Sequence, residues 1–504
     1  MPLPRLRTRA TLAVLFSLTA AACGGGGGEA APVPAPPASA PVPGAPPTVG
    51  GTPAPAPGTD TQAPEATPSA PAHLADGLSG VLAVSAAASD DTGVAGVEFQ
   101  VDGIALGGED TTAPYTTTLD TRTLASGQHV VRARARDAAG NRSPWSASTV
   151  RVGGTQPVTQ GFTRDESWIT GLGNATAFAQ APDGRWFVAL QHGAIRVVKN
   201  GVLLPTPARS IPSIDSTGER GLIGIAVHPD FAGNGWLYLH YTTTAGGTHN
   251  RIARIQVTGD TANGPETHGV DLPQLSGATN HNGGALHFDA NHRLYVGVGD
   301  NAQGFRAQDP SHPFGKLLRF NDDLTISSDN PFAGSQPGLG GAVWALGLRN
   351  PFTFAIDPAS GRIHINDVGQ NTWEEINLGA AGANYGWPGS EGPDNVGSGI
   401  TAPLFAYAQT PASPPGSGPG GFFTGQAIAG GAFYPNNGNF PAAYRGNYFF
   451  ADFGSRFIAR LDPTAGDAAY AFASVSGNPV DLRVGLDGAL YVLTRSSIVR
   501  IGVQ

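Results

Sequence analysis

Beyond about residue 160, apolar and polar positions repeat in one pattern along the chain. A short apolar strand is followed by a turn rich in Asp, Pro and Gly, then by a strand rich in aromatic residues and by a third that ends in Arg and apolar residues. Strand repeats of this size, without a convincing helical stretch, predict an all-β fold: a six-bladed β-propeller over residues 160–504. A solenoid of stacked repeats is the alternative. Six copies of the pattern lie at Ala181–Val188, His228–Leu239, Phe288–Tyr295, Ile356–Ile363, Phe433–Phe450 and Gly485–Tyr491.

A smaller region before the repeats alternates between apolar and polar residues. Val97–Val101 and Val131–Arg136 alternate with a period of two, which is typical of half-buried strands, and turns rich in Asp and Gly separate such strands. The stretches Asp91–Gly103 and Ala135–Asn141 resemble a bacterial immunoglobulin-like domain, which we place at residues 76–153 as a β-sandwich. Such modules are mostly spacers or adhesion units, and no cluster of residues here indicates catalysis.

The chain begins with the pattern of an exported protein. An arginine-rich start is followed by the apolar run Thr11–Leu18 and by the small residues Ala20–Ala22, which predicts a signal peptide over residues 1–22. The apolar run is too short to span a bilayer, which takes about 20 residues. Cys23 directly follows the small residues and so resembles the lipid-modified cysteine of a bacterial lipoprotein. The alternative is an ordinary secreted protein with a chance cysteine at the cleavage site.

Residues 23–75 contain mainly Gly, Pro, Ala, Ser and Thr and predict an extended, lipid-anchored linker. With acylated Cys23 as the anchor, the chain is held to the membrane by lipid alone. We therefore expect a protein of the cell envelope, on the outer membrane, with its folded domains in the periplasm or at the cell surface.

Charge and cysteine content exclude some classes of function. The 504 residues carry a net charge of −9, which argues against a nucleic-acid partner. The single cysteine excludes an intrachain disulfide and a cysteine-based zinc site.

The densest group of candidate catalytic residues surrounds His281. It lies on the Gly-rich segment Thr279–Gly284, directly before a predicted strand, and Asp300 ends the following strand. An aspartate that returns across a hairpin can hold one imidazole nitrogen and leave the other to act as a general base. The alternative is a histidine that only satisfies loop carbonyls.

Two further segments offer polar groups at strand ends. Arg349 and Asn350 precede Pro351 and present a planar cation and an amide, suited to an anionic or quinoid oxygen or to a structural bridge. The irregular, Gly-containing segments Asp367–Leu378 and Asn384–Pro388 can offer carbonyl oxygens to a hard cation such as Ca²⁺, although no EF-hand spacing is present.

Taken together and in order, these motifs resemble the soluble PQQ-dependent aldose/glucose dehydrogenases. The resemblance covers about residues 165–503, nearly the whole large domain. It rests on the His281 loop and on the segments Gly221–Phe231, Phe314–Arg319, Leu346–Pro351, Glu374–Leu378, Asn384–Pro388 and Asp481–Leu493.

The resemblance implies a six-bladed propeller that holds pyrroloquinoline quinone (PQQ) and Ca²⁺ on its axis and oxidises an aldose at the anomeric carbon to the lactone. His281 matches the general base, and Asp300 matches the aspartate that orients it. Arg349 matches the arginine that stabilises negative charge on the quinone oxygen, and Asn350 matches an asparagine that contacts the cofactor. Electrons would pass to an external acceptor, a quinone or a small redox protein.

Three more roles follow from the same resemblance. Gly369 and Gln370 match the pair whose backbone carbonyls bind the Ca²⁺, so we expect the side chain of Gln370 to matter little. Glu219 stands where a glutamine that contacts the substrate is expected.

The chain departs from the family where PQQ carboxylates are bound. The family uses a lysine on the fifth blade and two arginines just before the final strand. The corresponding stretch Asp452–Arg456 contains no lysine, and Asn478 and Val480 stand at the two arginine positions. Unpaired carboxylates in a partly dry site cost roughly several kcal/mol. We expect Arg456 and Arg483 to replace the missing cations.

These departures leave a second function open. The alternative is a non-enzymatic propeller with a degenerate cofactor site that binds glycans or proteins at the cell surface. A hydrolytic propeller that activates water with Ca²⁺ is disfavoured, because no convergent set of acidic ligands is evident in the sequence.

Overall fold

The computed structural model describes residues 60–71, 78, 81–121, 124, 127–152, 161–393, 396–409 and 424–504. The predicted signal peptide, Cys23 and most of the predicted linker lie outside these residues. No helix in the described ranges has the length and apolar character needed to cross a membrane.

Two antiparallel sheets form the N-terminal domain. The strands are β1 (Glu65–Ala70), β2 (Val81–Ser89), β3 (Val94–Val101), β4 (Ile104–Ala105), β5 (Thr116–Asp120), β6 (Gly127–Asp137) and β7 (Ser146–Val152). One sheet has the order β1-β2-β5 and the other β4-β3-β6-β7. The alternating residues Val97, Phe99 and Val101 are buried against Val131 and Ala133, so the period of two in the sequence faces a core between the sheets.

The domain begins earlier than the predicted boundary at residue 76. Strand β1 lies within the segment expected to be linker, and it pairs with β2 from Glu65↔Ser89 onward. Its sequence, EATPSA, offers only Ala66 as a buried residue. Because small and polar residues fill the strand, no hydrophobic alternation marks it in the sequence.

Six antiparallel sheets make up the large domain, and we name them blades A to F. In chain order the strands are β8 (Phe162–Ile169), β9 (Ala175–Gln180), β10 (Trp186–Leu190), β11 (Ala194–Lys199), β12 (Val202–Leu203), β13 (Arg209–Ser210), β14 (Leu222–Val227), β15 (Trp236–Thr243), β16 (His249–Gln256), β17 (Thr267–Gln274), β18 (Leu286–Phe288), β19 (Leu294–Val298), β20 (Lys316–Phe320), β21 (Val343–Leu346), β22 (Pro351–Ile356), β23 (Ile363–Asp367), β24 (Trp373–Leu378), β25 (Phe405–Ala408), β26 (Ile428–Phe433), β27 (Tyr448–Asp452), β28 (Phe457–Asp462), β29 (Ala468–Ser474), β30 (Pro479–Val484), β31 (Leu490–Thr494) and β32 (Ile498–Val503). Blade A contains β9–β13, blade B contains β14–β17, and blade C contains β18–β21. Blade D contains β22–β25, blade E contains β26–β29, and blade F contains β30–β32 together with β8.

Helical structure in the described ranges is limited to short segments. These are α1 (Phe231–Asn234) and the 3₁₀ turns Gly304–Gln308, Gly338–Ala342, Ala442–Tyr444 and Pro463–Ala465.

The blades close into a ring, and the predicted six-bladed propeller is confirmed. Strand β8, the first of the domain, pairs with β32, the last, from Phe162↔Val503 to Ile169↔Ile498. Apolar residues of adjacent blades pack together all round the ring. Blade F meets blade A through Tyr491 and Trp186, whose ring centroids lie 4.6 Å apart.

The first strand of each blade lines a narrow central channel. It is lined by residues of five innermost strands, among them Thr176, Ile223, Leu286, Thr353 and Asp481. Each innermost strand is antiparallel to the second strand of its blade, as in Leu286↔Val296 of blade C. The residues before each innermost strand and the loops between second and third strands therefore surround one end of the channel, which we call the upper mouth.

Candidate active site

The structure brings His281 and Asp300 together at the upper mouth. His281 precedes β18 and has a left-handed φ of 55°, and Asp300 follows the paired strand β19. The His281 Nδ1 lies 2.8 Å from Asp300 Oδ1, with 10% of the histidine side chain and 1% of the aspartate side chain exposed. Because the carboxylate forms a hydrogen bond with Nδ1, the other imidazole nitrogen, Nε2, is left to accept a proton, as a general base requires.

Trp387 holds the other oxygen of Asp300. Its indole Nε1 donates to Asp300 Oδ2 at 2.8 Å, and the backbone N–H of Ala302 donates to Oδ1 at 2.7 Å. The Arg349 guanidinium lies over the same indole, 5.4 Å from the ring centre. No role for Trp387 could be predicted beyond its place in Asn384–Pro388, because nothing in the sequence shows which loop reaches Asp300.

Arg349 is held by neutral oxygens. Its Nε and Nη2 donate to Gln370 Oε1 at 2.9 and 2.6 Å, and Nη1 donates to the Val368 carbonyl at 2.9 Å. The side chain of Gln370, expected to matter little, therefore orients Arg349. The guanidinium has no carboxylate partner among the described residues.

Asn350, next to Arg349, contacts the loop that carries His281. Its Oδ1 accepts the Gly283 N–H at 3.0 Å. The Asp367 carboxylate accepts the backbone N–H groups of Arg349 and Asn350 at 2.9 and 2.6 Å. Burial raises the pKa of Asp367 to about 8, and the nearby Glu375 carboxyl adds to the rise. One buried carboxyl group thus holds the backbone of both Arg349 and Asn350 in place.

Glu219 brings a further carboxyl group to His281. The backbone N–H of His281 donates to Glu219 Oε2 at 2.7 Å. Although Glu219 as a residue is exposed, its carboxyl group is enclosed at this contact, and desolvation raises its pKa while the charges of His281 and Arg349 oppose the rise. The predicted substrate residue therefore lies with the catalytic group.

The loop of Gly369 and Gln370 is organised by Glu391. One carboxylate oxygen, Glu391 Oε1, accepts the consecutive backbone N–H groups of residues 370, 371, 372 and 373 at 2.8, 3.0, 3.1 and 3.3 Å. In a trans peptide the carbonyl points opposite to the N–H that follows it, so the carbonyls of Gly369 and Gln370 point away from Glu391. No hydrogen bond within the described part of the chain ends on these two carbonyls.

Free carbonyl oxygens on a fixed loop are the ligands that a hard cation such as Ca²⁺ prefers, so the loop fits this ion. Glu391 could not be predicted from the sequence, because its partners lie about 20 residues away and it contacts their backbone rather than their side chains.

The two arginines expected to replace the missing cations differ in position. Arg456 lies in the loop between β27 and β28, at the upper mouth, where it is exposed and donates to the Ser476 carbonyl at 3.1 Å. Arg483 is not at this mouth. It lies within β30 and contacts Asp481, the Phe178 carbonyl and His287 Nε2, all within innermost strands.

The physical reason for this correction is the period of two along β30. Asp481 and Arg483 point to the same side of the strand, into the channel, where each neutralises the other. At the start of β30, Asn478 donates to the Phe453 carbonyl at 2.8 Å and Val480 is buried, so neither supplies a cation.

At one mouth the propeller thus brings together a histidine–aspartate pair, an arginine without a carboxylate partner among the described residues, and a loop with outward-facing carbonyls. The family described as Glucose / Sorbosone dehydrogenase matches residues 172–501, and the chain belongs to that family. It is an oxidoreductase of the sugar dehydrogenase type. A Bacterial Ig domain matches residues 64–133, in agreement with the sandwich and with its early start.

Relatives of known structure share the propeller. The aldose sugar dehydrogenase YliI of Escherichia coli is 29% identical over 358 residues, which are 65% of this chain and 88% of that protein. The apo crystal structure of the E. coli aldose sugar dehydrogenase superposes with a TM-score of 0.58 at 26% identity, over 68% of this chain and all of that one. The PQQ-bound aldose sugar dehydrogenase of Streptomyces coelicolor has the same fold, with a TM-score of 0.54 at 24% identity over 69% of this chain and all of that one.

Proposed function

We propose that this protein is a PQQ-dependent aldose dehydrogenase that converts the sugar to its lactone and passes the electrons to an external acceptor, a quinone or a small redox protein. The observation that carries the proposal is the His281–Asp300 pair beside the charge of Arg349 at one mouth. The E. coli relative is named an aldose sugar dehydrogenase, and the S. coelicolor protein of the same fold binds PQQ.

His281 is the proposed base. Its Nε2 removes the proton of the anomeric hydroxyl while a hydride leaves the anomeric carbon, so the sugar loses two electrons and two hydrogens and becomes the lactone. When bound, PQQ supplies the hydride acceptor. Asp300 keeps the imidazole oriented and stabilises the imidazolium that forms.

Two features of the mouth would hold the cofactor and its cation. Arg349, which lacks a carboxylate partner among the described residues, would bind an anionic oxygen of PQQ, and Asn350 lies next to it. The carbonyls of Gly369 and Gln370 would bind Ca²⁺, with Glu391 behind them. Glu219, at the His281 N–H, would contact the sugar.

We also propose that acylated Cys23 anchors the chain at the outer membrane, with the propeller in the periplasm or at the cell surface. The support for this anchor is the order of residues at the start of the chain: arginines, an apolar run and small residues before the cysteine.

The test is a titration of the purified protein with PQQ in the presence of Ca²⁺, followed by addition of an aldose. We expect saturable binding and reduction of the cofactor on addition of sugar, seen in its absorbance. His281→Ala should bind PQQ as tightly as the wild type and fail to reduce it. Absence of binding at micromolar PQQ would contradict the proposal and favour a propeller that binds glycans or proteins, a function suggested by the neutral Asn478 and Val480.

A further inference from the structure

Arg495 is a cation at the upper mouth that none of the proposed roles uses. It lies in the loop between β31 and β32, and this loop surrounds the same mouth as His281. Its Nη1 donates to the Ala175 carbonyl at 3.1 Å, and Nη2 donates to Gln191 Oε1. Ala175 is the first residue of β9, so the guanidinium lies at the upper end of an innermost strand.

The charge of Arg495 has no counter-ion. Within the described ranges its partners are a backbone carbonyl and an amide oxygen, and no carboxylate lies within ion-pair distance. Burial lowers its pKa, and no nearby charge counters that effect. By contrast Arg220, which precedes the innermost strand β14 at the same mouth, pairs with Asp215 at 2.9 Å. A partly buried, unpaired cation is stabilised by an anionic ligand more than by any neutral one.

Arg495 and Arg349 stand on opposite sides of the channel. Arg349 precedes β22 of blade D, and Arg495 reaches the start of β9 in blade A, three blades away in a ring of six. Both guanidinium groups are held by neutral oxygens only, Arg349 by Gln370 and Val368. A ligand that binds between them meets a fixed positive charge on each side.

We propose that Arg495 binds a carboxylate of the ligand at the upper mouth. It thereby supplies the positive charge that is missing where Asn478 and Val480 stand in place of two arginines. The ligand class is a planar polycarboxylate with anionic groups at opposite ends, and under the proposed function it is PQQ, on which this inference rests. Arg495 then supplies the charge that Arg483 cannot supply, because Arg483 is neutralised inside the channel.

The test compares PQQ affinity, by quenching of tryptophan fluorescence in Ca²⁺ buffer, in the wild type and in two variants. Arg495→Gln removes the charge and should weaken PQQ binding by about tenfold or more, because a charge-assisted hydrogen bond is lost. Arg500→Gln is the control: this partly exposed arginine of β32 pairs with Asp487 at 2.7 Å, and its loss should leave PQQ affinity unchanged.

Equal affinity of Arg495→Gln and the wild type would overturn the assignment of Arg495 and leave the proposed function intact. Failure of the wild type to bind PQQ would overturn both. If Arg495→Gln does not fold, the inference is tested on the wild type instead. Phenylglyoxal modifies arginine side chains, and mass spectrometry measures how fast Arg495 reacts. PQQ should slow the reaction at Arg495 and not at Arg500, and equal rates at Arg495 with and without PQQ would overturn the inference.

Discussion

Asp300 is the residue on which the geometry of the base depends. Its Oδ1 accepts from His281 and Ala302, and its Oδ2 accepts from Trp387, so both oxygens act as acceptors only. Asp300→Asn keeps the volume but places an amide donor against one of these N–H groups. We expect kcat for aldose oxidation to fall about 100-fold or more, since the imidazole loses its orientation and its counter-charge.

The control for this prediction is PQQ affinity, because Asp300→Asn leaves the side chains of Arg349 and Asn350, which are proposed to bind the cofactor, with their own hydrogen-bond partners. Steady-state kinetics with an artificial electron acceptor measure kcat, and the fluorescence titration measures the Kd for PQQ. A variant that loses affinity rather than kcat would contradict the role assigned to Asp300.

Two buried histidines make the stability of the fold sensitive to acid. Both ring nitrogens of His364 lack a hydrogen-bond partner in the described structure, and burial lowers the pKa values of His240 and His364 to about 4 and about 3. Since the unfolded chain binds these protons near pH 6.5, it holds more protons than the native protein below that pH. The contribution of these two histidines to the free energy of unfolding should therefore fall as the pH decreases from about 6.5 toward 4.

His364→Leu tests this pH dependence. His364 packs between Phe433 and Tyr448, with ring centroids 4.7 and 4.5 Å away, so an apolar side chain of similar size fits the contact. Removal of one titrating group should reduce the slope of unfolding free energy against pH by up to about 1.4 kcal/mol per pH unit over this window. Urea denaturation at pH 7, 6, 5 and 4 measures the slope, and an unchanged slope would exclude His364 as a cause.

Single residues also show what the sequence allowed us to predict. The His281–Asp300 contact follows from a hairpin that returns the chain to the same mouth, and hairpins can be predicted from turn residues. The position of Arg483 follows from the period of two along β30, which puts its side chain on the same side of the strand as Asp481. Arg495 could not be found in this way, because its partner Ala175 lies 320 residues away and only closure of the ring brings them together.

At the scale of elements, the loop between β23 and β24 combines two opposite surfaces. Its N–H groups converge on Glu391, and the carbonyls of Gly369 and Gln370 face the other way. Glycine is required at 369, because an added Cβ would overlap the Trp373 carbonyl oxygen. The loop therefore owes its shape to a side chain outside it.

Glu391→Gln should weaken Ca²⁺ binding by about tenfold, because the four N–H groups lose the negative charge that holds them in place. Isothermal titration of the cofactor-free protein with Ca²⁺ measures the affinity. Asp357→Asn is the matched control, since Asp357 also holds a loop through backbone and hydroxyl donors but lies after β22, at the opposite end of that strand from Arg349. An equal loss of Ca²⁺ affinity in both variants, or no loss in either, would contradict the role of Glu391.

The strand pattern predicted the blades well because each blade repeats the same hairpins, and turn residues mark every one of them. It failed at β1, where Ala66 is the buried residue and no apolar alternation is present. Loop contacts such as that of Glu391 with the backbone leave no pattern at all, because any backbone offers the same N–H groups. Repeated strands can therefore be predicted from the sequence, whereas the contacts of a single loop cannot.

At the scale of the molecule, closure of the ring depends on one strand. Strand β8 completes blade F by pairing with β32, and its end residues Phe162 and Ile169 are buried in two different cores between blades. Without β8, blade F exposes an unpaired edge and both cores lose a large side chain. The ends of the domain are therefore joined by noncovalent contacts alone.

Two N-terminal truncations separate this closure from the contribution of the immunoglobulin-like domain. The fragment 161–504 keeps β8 and every innermost strand, so we expect it to fold and to oxidise aldose as the full chain does, given PQQ and Ca²⁺. The fragment 171–504 lacks β8, and its Tm should lie at least about 10 °C lower, since two buried side chains of about 1.5–3 kcal/mol each are lost with the strand pairing. Thermal unfolding by circular dichroism compares the two. Equal melting of both fragments would show that β8 is dispensable, and loss of folding in both would show that the propeller needs the sandwich that precedes it.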